Sequence, residues 1–288
     1  MLNKRVIARL DIKGPNLVKG IHLEGLRVLG KPEQFARYYY ETGADEMMYV
    51  DVVASLYNRN SLHDIITKTA KEIFIPLTVA GGIRTIDDIR QILRAGADKV
   101  SLNTAAIKRP EIIREASRKF GSSTIVVSIE AIKQPDGQYF AYTDNGREST
   151  GVEVLKWAME VEKLGAGELV ITSVDREGTG CSFDIELTKM IAEAVSIPVI
   201  GHGGAGCFED IKSVLVNGKA DAVALASMLH YEFMNNNTIA GEYKEEGNVE
   251  FLKSGCSFSK IKTVTIPEIK VYLYNQNVSC RYNINKAQ

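Results

Sequence analysis

The sequence predicts an α/β fold, a single (β/α)8 TIM barrel built from two similar half-barrels. The chain has 288 residues, a length typical of one such barrel. Short runs of β-branched residues alternate with longer helical patterns, which is typical of parallel strands joined by helices. The two halves of the sequence also resemble each other, and an open sheet gives no reason for so even a repetition.

The repeat is clearest around two glycine pairs. The run IPLTVAGG at 75–82 recurs as IPVIGHGG at 197–204, and a similar match relates 98–104 to 221–227. This periodicity indicates two structural units that pack against each other. We expect half-barrels over about residues 1–120 and 121–230, an irregular insertion over 231–265 and a closing helix over 266–277.

Eight strands are predicted, four in each half. They are the runs 6–12, 46–52, 77–80, 99–102, 124–129, 168–173, 199–200 and 222–225. Helical patterns lie between them over 31–41, 61–71, 85–95, 110–120, 150–164, 184–194 and 207–216. In a parallel barrel the functional site lies at the carboxyl ends of the strands, so the polar residues that end each strand are candidate site residues.

Charge and composition exclude several function classes. The formal net charge is −1, and a near-neutral chain is a poor candidate for nucleic-acid binding, which depends on a basic surface. Neither a membrane-length apolar run nor an N-terminal signal segment is present, so no membrane association and a cytoplasmic location are expected. The four cysteines lie far apart, and the sequence predicts no disulfide, no metal site and no cofactor.

Two carboxylates end corresponding strands of the two halves. The first strand ends in Arg9-Leu10-Asp11 and the fifth in Ser128-Ile129-Glu130, so we expect Asp11 and Glu130 to face each other across the barrel mouth. Paired carboxylates in different environments are a common arrangement for general acid/base catalysis. The alternative is that each carboxylate caps a loop or pairs with a nearby lysine, and the symmetric placement favours catalysis.

A glycine pair follows the third and the seventh strand, and a small or hydroxyl residue follows the next strand in each half. Backbone N–H groups and hydroxyls at such turns bind phosphate, so the doubled arrangement predicts a ligand with a phosphate at each end. The alternative is a purely structural glycine turn, and His202 within the second turn either contacts a phosphate or fills space. The expected phosphate- and substrate-binding residues are Lys19, Gly82, Asn103, Thr104, Thr172, Glu177, Gly203, Gly204, Ala226 and Ser227.

Charged residues of both signs begin strands at the opposite end of the barrel. A charge that points into a barrel needs a partner, so we expect these four side chains to form a ring of ion pairs. The alternative is that each is an ordinary surface charge. The residues are Arg5, Glu46, Lys99 and Glu168.

Several motifs resemble the cyclase subunit of imidazole glycerol phosphate synthase. They include RLDIK at 9–13, VAGGIR at 79–84, GADKVSLNTAA at 96–106 and GHGGAG at 201–206, and the resemblance covers about residues 1–230 and the final helix. It implies a barrel whose N-terminal face binds a glutaminase, a class I amidotransferase subunit, and through which ammonia passes. Ammonia there converts phosphoribulosyl-formimino-aminoimidazole carboxamide ribonucleotide, which carries two phosphates, to imidazole glycerol phosphate and aminoimidazole carboxamide ribotide in histidine biosynthesis.

The resemblance also implies residue roles. Asp11 matches the family's strand-one catalytic aspartate, the glycine turns match its two phosphate sites, and the four charged residues at the strand starts match its ammonia gate. The mouth departs from the family, because Glu130 and Glu177 replace aspartates, Arg9 replaces a small residue and His202 replaces a serine.

These departures leave alternatives open. A paralogous branch has a similar barrel that, with its glutaminase, supplies ammonia for acetamidino-sugar formation in surface-polysaccharide (O-antigen type) biosynthesis. A related phosphoribosyl-formimino isomerase shares the half-barrel repeat, but it needs no ammonia gate. A non-catalytic scaffold that only activates a glutaminase is disfavoured by the retention of Asp11 and both glycine turns.

Overall fold

Eight parallel strands close into a barrel in the computed structural model, which describes residues 3–54, 62–236 and 260–282. The strands are β1 Arg5–Lys13, β2 Asn16–Ile21, β3 Glu24–Gly30, β4 Glu46–Asp51, β5 Leu77–Ala80, β6 Lys99–Leu102, β7 Ile125–Lys133, β8 Tyr139–Thr143, β9 Glu148–Glu153, β10 Glu168–Ser173, β11 Val199–His202 and β12 Ala222–Leu225. The barrel runs in the order β1, β4, β5, β6, β7, β10, β11, β12 and back to β1, with parallel neighbours throughout. The predicted fold class is therefore confirmed.

Helices cover the outside of the barrel. They are α1 Pro32–Glu41, α2 His63–Thr69, α3 Ile86–Ala95, α4 Thr104–Lys108, α5 Glu111–Phe120, α6 Val154–Leu164, α7 Ile185–Ala194, α8 Phe208–Val216, α9 Ser227–Asn236 and α10 Ile266–Asn275. Within the described ranges, none of these helices has the length and apolar character needed to cross a membrane. The helix predicted over 150–164 begins only at Val154, because residues before it form β9.

Two β-hairpins rise from the barrel mouth, and the sequence patterns did not predict them. The pair β2–β3 extends from β1, and the pair β8–β9 extends from β7, at corresponding places in the two halves. The first hairpin turns at His22 and Leu23, both with positive φ, as a tight two-residue turn requires. Asn145 in the second hairpin donates a hydrogen bond from Nδ2 to the Leu23 carbonyl oxygen at 2.8 Å, so the two hairpin turns meet over the mouth.

Alternate residues of each barrel strand point inward, as the strand period of two requires. Along β1, Val6 and Leu10 join the core between the strands and the helices. Ile7 lies in a separate apolar layer inside the barrel, with Met48, Ala80, Val126, Val170, Ile200, Ala222 and Ala224. This layer separates a charged lower end from a polar upper end, which are called here the floor and the mouth.

The two halves use the same local contacts. Asp98 accepts a hydrogen bond from Leu77 N at 2.8 Å, and Asp221 accepts one from Val199 N at 3.0 Å. Matching aspartates likewise cap the helices that follow the two glycine turns. These shared contacts agree with the sequence repeat, while the half-barrel limits at about residues 120 and 230 stay predictions.

Residues 231–236, which the sequence places in an irregular insertion over 231–265, belong to helix α9. Helix α9 continues to Asn236 because Met228, Leu229 and Tyr231 are buried along it. Residues 237–259 lie outside the described part of the chain. The chain then reaches α10, whose first turn is capped by Thr265 and Glu268.

Helix α10 is fixed to the barrel by a buried ion pair. Lys270 Nζ lies 2.6 Å from Asp45 Oδ1 and donates to the Gly43 carbonyl oxygen at 2.8 Å. Asp45 also accepts a hydrogen bond from Val6 N at the start of β1. The last helix is therefore tied to the first two barrel strands through one carboxylate.

Breaking this pair leaves a buried charge without a partner. We expect Lys270→Met to lower the free energy of unfolding by about 3–5 kcal/mol, measured by urea denaturation. The double variant Lys270→Met/Asp45→Asn recovers part of that loss. The control Lys219→Met removes an exposed pair with Glu193 and costs less than about 1 kcal/mol. Equal losses at the two lysines would contradict this assignment.

Candidate active site

The four charged side chains at the floor form a closed ring of ion pairs, called here the floor ring. Arg5 contacts Glu46 at 2.6 Å and Glu168 at 2.5 Å. Lys99 contacts the same two carboxylates, each at 3.1 Å. Cations and anions alternate, so every charge has two partners of opposite sign. The expected geometry is present, and its role as an ammonia gate stays a prediction.

The mouth contains a cavity of about 310 Å³, called here the larger cavity. It lies where the barrel strands end, as the fold requires. Five residues predicted from the sequence line it, namely Gly82, Asn103, Thr104, Glu130 and Thr172. Further lining residues are Arg9, Asp51, Arg84, Ser101, Lys108, Arg109, Ser128, Asp144 and Asn145.

A smaller cavity of about 20 Å³ lies on the other side of β1. The predicted residues that line it are Lys19, Glu177, Gly203, Gly204, Ala226 and Ser227. It adjoins the first turn of α9, where backbone N–H groups lack partners within the helix and favour an anion. The sequence predicted equivalent sites, whereas the structure shows two cavities of different size and charge.

The glycine turns have a structural cause of their own. Gly81 has φ +100°, and a Cβ there would lie 2.3 Å from the Asp51 carbonyl oxygen. Gly204 has φ +108°, and its Cβ would lie 2.1 Å from the Ser182 carbonyl oxygen. Any larger residue would displace neighbouring backbone at both turns. The glycines therefore allow each turn to pack closely against neighbouring backbone at the edge of its cavity, and phosphate binding there stays a prediction.

Lys19 is neutralised in the smaller cavity. Its ammonium group forms a fully buried ion pair with Glu177, and it donates to the Gly20 carbonyl oxygen at 3.0 Å. The second carboxyl oxygen of Glu177 accepts from Leu23 N at 3.0 Å. This pair joins the first hairpin to the loop after β10, and it reduces the positive charge that Lys19 offers to a ligand.

Arg9, rather than Asp11, is the β1 residue that lines the larger cavity. Both side chains are buried, and Arg9 Nε donates to Asp11 Oδ1 at 2.9 Å. Burial opposes ionisation of Asp11, but Arg9 and then Lys19 outweigh it and lower the pKa of the carboxyl group. Asp11 is therefore held as an anion behind a guanidinium group.

Glu130 lies in a different environment. Its Oε2 accepts a hydrogen bond from Gly146 N at 2.8 Å, in the turn of the second hairpin. Burial by the surrounding protein raises the pKa of this carboxyl group to about 7, against a smaller lowering by that hydrogen bond and by Arg9. The pKa values of the two carboxyl groups are therefore shifted in opposite directions, and Arg9 is close to both groups.

His202 is buried beside the smaller cavity. Its Nδ1 lies 2.9 Å from the Ala224 carbonyl oxygen, so Nδ1 carries the ring proton. Burial, followed by the charge of Arg9, lowers the pKa of the ring well below its ordinary value. Nε2 has no hydrogen-bond partner among residues 3–54, 62–236 and 260–282, and a neutral ring offers it to a ligand as an acceptor.

Sequence reasoning did not identify Ser101, Ser128 and Asp144 as cavity residues. The two serines bond to each other at 2.7 Å, and each precedes a predicted site residue by two positions. The strand period of two therefore places them on the same inner face. Asp144 begins the sequence Asp-Asn-Gly, a turn signal, which indicates the second hairpin that carries it to the mouth.

The described residues contain no cluster of His, Cys, Asp or Glu side chains arranged to hold a metal ion. Cys181, Cys207 and Cys280 are free thiols. Cys256 lies outside the described residues.

The raised pKa of Glu130 predicts a pH-dependent effect on stability. Folding favours the protonated form of this carboxyl group. The resulting contribution to folding stability is full below the ordinary pKa of 4.5 and is lost as the pH rises through about 7. We expect Glu130→Gln to stabilise the protein more at pH 8 than at pH 5. Urea denaturation at both pH values measures this difference. An effect of Glu130→Gln that is the same at both pH values would show that burial does not raise the pKa of Glu130.

Comparisons with known proteins identify relatives of this chain. The model of the family described as "Histidine biosynthesis protein" matches residues 5–235. A curated protein from Legionella pneumophila, named imidazole glycerol phosphate synthase subunit HisF, is 57% identical over 210 residues, which are 73% of this chain and 99% of that protein. Proteins of the same name from Alkaliphilus metalliredigens and Thermosynechococcus vestitus are 46% and 48% identical, each over 80% of this chain and over 92% and 84% of their own length.

These names favour the histidine-pathway hypothesis over the polysaccharide alternative. The match over residues 5–235 spans the whole barrel and both mouth cavities. The chain therefore belongs to the histidine biosynthesis protein family, as a HisF-type subunit of imidazole glycerol phosphate synthase.

Proposed function

We propose that this barrel catalyses the cyclase reaction of the synthase, in which ammonia converts phosphoribulosyl-formimino-aminoimidazole carboxamide ribonucleotide to imidazole glycerol phosphate and aminoimidazole carboxamide ribotide. The observation that carries the proposal is the order of features along the barrel interior, which has the floor ring at one end, an apolar layer in the middle and the carboxylate-lined larger cavity at the other end. An isomerase reaction needs a site at the mouth, but it uses no ammonia and therefore needs no ring of charges at the floor.

The floor face is the proposed docking surface for a glutaminase subunit. Phe74 precedes β5 at this end and is 79% exposed, and it lies beside Tyr40 with ring centroids 6.0 Å apart. The two rings line a groove on this face, and an exposed aromatic side chain beside a groove is typical of a protein interface. A partner bound here would release ammonia directly at the floor ring.

The apolar layer above the floor ring favours ammonia over ammonium. Transfer of a charged group into such a layer is costly unless it is paired, whereas a small neutral molecule carries a much smaller penalty. The layer contains the small side chains of Ala80, Ala222 and Ala224. Lys99 is the ring cation expected to move, since its side chain has a single flexible ammonium group, while Arg5 is held by two short contacts.

Glu130 is the group that exchanges protons at the mouth. Addition of ammonia requires a base, and ring closure with loss of the leaving group requires an acid. A carboxyl group whose pKa is about 7 serves in both directions near neutral pH. Asp11 stays ionised beside Arg9, so it supplies a fixed negative charge that orients neighbouring donors.

The two glycine turns are the proposed phosphate sites. The larger cavity receives one phosphate at Gly82, Asn103 and Thr104, with Lys108 also in its lining. The smaller cavity receives the other at Gly203 and the first turn of α9. A cytoplasmic location stays a prediction.

The proposal is tested with the purified protein, ammonium salt and the formimino ribonucleotide, by following the loss of substrate absorbance. We expect turnover by the wild type and a loss of about 100-fold or more in kcat for Glu130→Gln. The control Glu160→Gln alters an exposed glutamate on α6 and leaves the rate unchanged. Absence of turnover by the wild type at saturating substrate rejects the function itself.

The gate is tested in the complex with a glutaminase. Lys99→Met removes one cation from the floor ring, so we expect glutamine-dependent turnover to change by several-fold more than turnover with added ammonium salt. Lys163→Met, an exposed lysine on α6, is the control and changes neither rate. An equal loss of both activities in Lys99→Met would argue against a role in ammonia passage.

A further inference from the structure

The strongest feature that the proposed function leaves without a role is Arg9. A buried arginine is rare unless it is paired, and this one lies at the mouth rather than within the protein core. Its side chain is 5% exposed, and it forms part of the larger cavity wall. The charge is therefore enclosed by protein on most sides and faces a space large enough for a ligand.

The guanidinium group of Arg9 has more N–H donors than it uses in hydrogen bonds to the described residues. Nε is committed to Asp11 at 2.9 Å, and Nη1 lies 3.5 Å from Thr172 Oγ1, which is at the limit of a hydrogen bond. Nη2 makes no hydrogen bond within the described ranges of the chain. Because Arg carries five N–H donors in a planar fork, fixing Nε to Asp11 aims the remaining donors in a defined direction.

Arg9 also lies midway between the two glycine turns around the barrel. In the barrel order, β1 is flanked by β12 and then β11 on one side, and by β4 and then β5 on the other. The second glycine turn follows β11, and the first follows β5. A residue on β1 is therefore two strands from each proposed phosphate site.

We propose that Arg9 is a binding and specificity-determining residue, whose guanidinium group, oriented by Asp11, donates hydrogen bonds to a carbonyl oxygen located between the two phosphate ends of the substrate. The proposal rests on the proposed function, because the carboxamide group of that substrate is the central acceptor it requires. Asp11 is then a positioning residue for Arg9.

The neighbouring charges support a neutral acceptor over a further anion. Arg9 faces Asp11 on its own strand, Glu130 on β7 and Glu177 in the loop after β10. The ion pair with Asp11 already compensates the charge of the guanidinium group, and the two glutamates lie close enough to add to that effect. A carbonyl oxygen accepts a hydrogen bond without adding another negative charge to this cluster.

A matched pair of ligands tests the proposal by binding, independently of turnover. Aminoimidazole carboxamide ribotide has the carbonyl oxygen, and aminoimidazole ribotide lacks the carboxamide group. We expect the wild type to bind the first more tightly, measured by calorimetry. In a variant without the Arg9 guanidinium group, the loss of a hydrogen bond from a charged donor should lower the affinity for the carboxamide ligand by about 10- to 100-fold. The affinity for the other ligand should change by less than about twofold.

The variant used is Arg9→Met/Asp11→Asn. Removal of Arg9 alone would leave the buried carboxylate of Asp11 without a partner and would destabilise the fold. Arg9→Lys is a second variant that keeps the charge but loses the fork, and we expect it to lose most of the discrimination. The control Arg37→Met/Glu41→Gln removes an exposed pair and preserves the wild-type ratio of affinities. Thermal unfolding verifies that each variant is folded.

The outcomes separate this inference from the proposed function. Discrimination lost in the mouth variants but kept in the control supports it. A wild type that binds both ligands equally or neither, or a mouth variant that weakens both ligands to the same extent, overturns it. In any of those cases, turnover of the formimino ribonucleotide by the wild type would still support the cyclase function, and only the proposed role of Arg9 would be rejected.

Discussion

The closed barrel imposes one constraint from which the site follows. Every second residue of eight strands points into an interior separated from bulk water, so a charge placed there persists only with a partner. The chain meets this constraint at three levels. Arg5 and Lys99 share two glutamates at the floor, the middle layer is apolar, and Arg9 pairs with Asp11 at the mouth. The polarity of the interior is therefore graded along the barrel axis.

This gradient explains how much of the site the sequence predicts. A period of two along Arg5, Ile7 and Arg9 shows which side chains share the interior, and the repeat shows which strands correspond. The floor ring follows from those two rules and the need of each charge for a partner. The contact between Lys270 and Asp45 does not, because the two residues are 225 positions apart and no local pattern relates them.

The hairpins mark another limit of sequence reasoning. Each continues a barrel strand beyond the point where its apolar alternation ends, so periodicity indicated loop there. The first hairpin turns at His22 and Leu23, both with positive φ, and neither residue is the Asn, Asp or Gly that usually marks such a turn. The contact from Asn145 to Leu23 joins two hairpins that are far apart in the sequence. The placement of the two hairpins over the mouth therefore depends on tertiary contacts, although the Asp-Asn-Gly turn of the second hairpin is a local sequence signal.

The two mouth cavities show why a repeated sequence need not yield repeated chemistry. Both halves keep the glycine turn and its helix cap, yet the first half adds cations such as Lys108 to its cavity lining. In the second half, Glu177 neutralises Lys19 and His202 offers an unprotonated nitrogen. Substitutions at these few positions change charge without changing backbone, because the glycine turns already determine the chain path. Under the proposed function, the unequal charge of the two cavities would distinguish the two phosphate ends of the substrate and so set its orientation relative to Glu130.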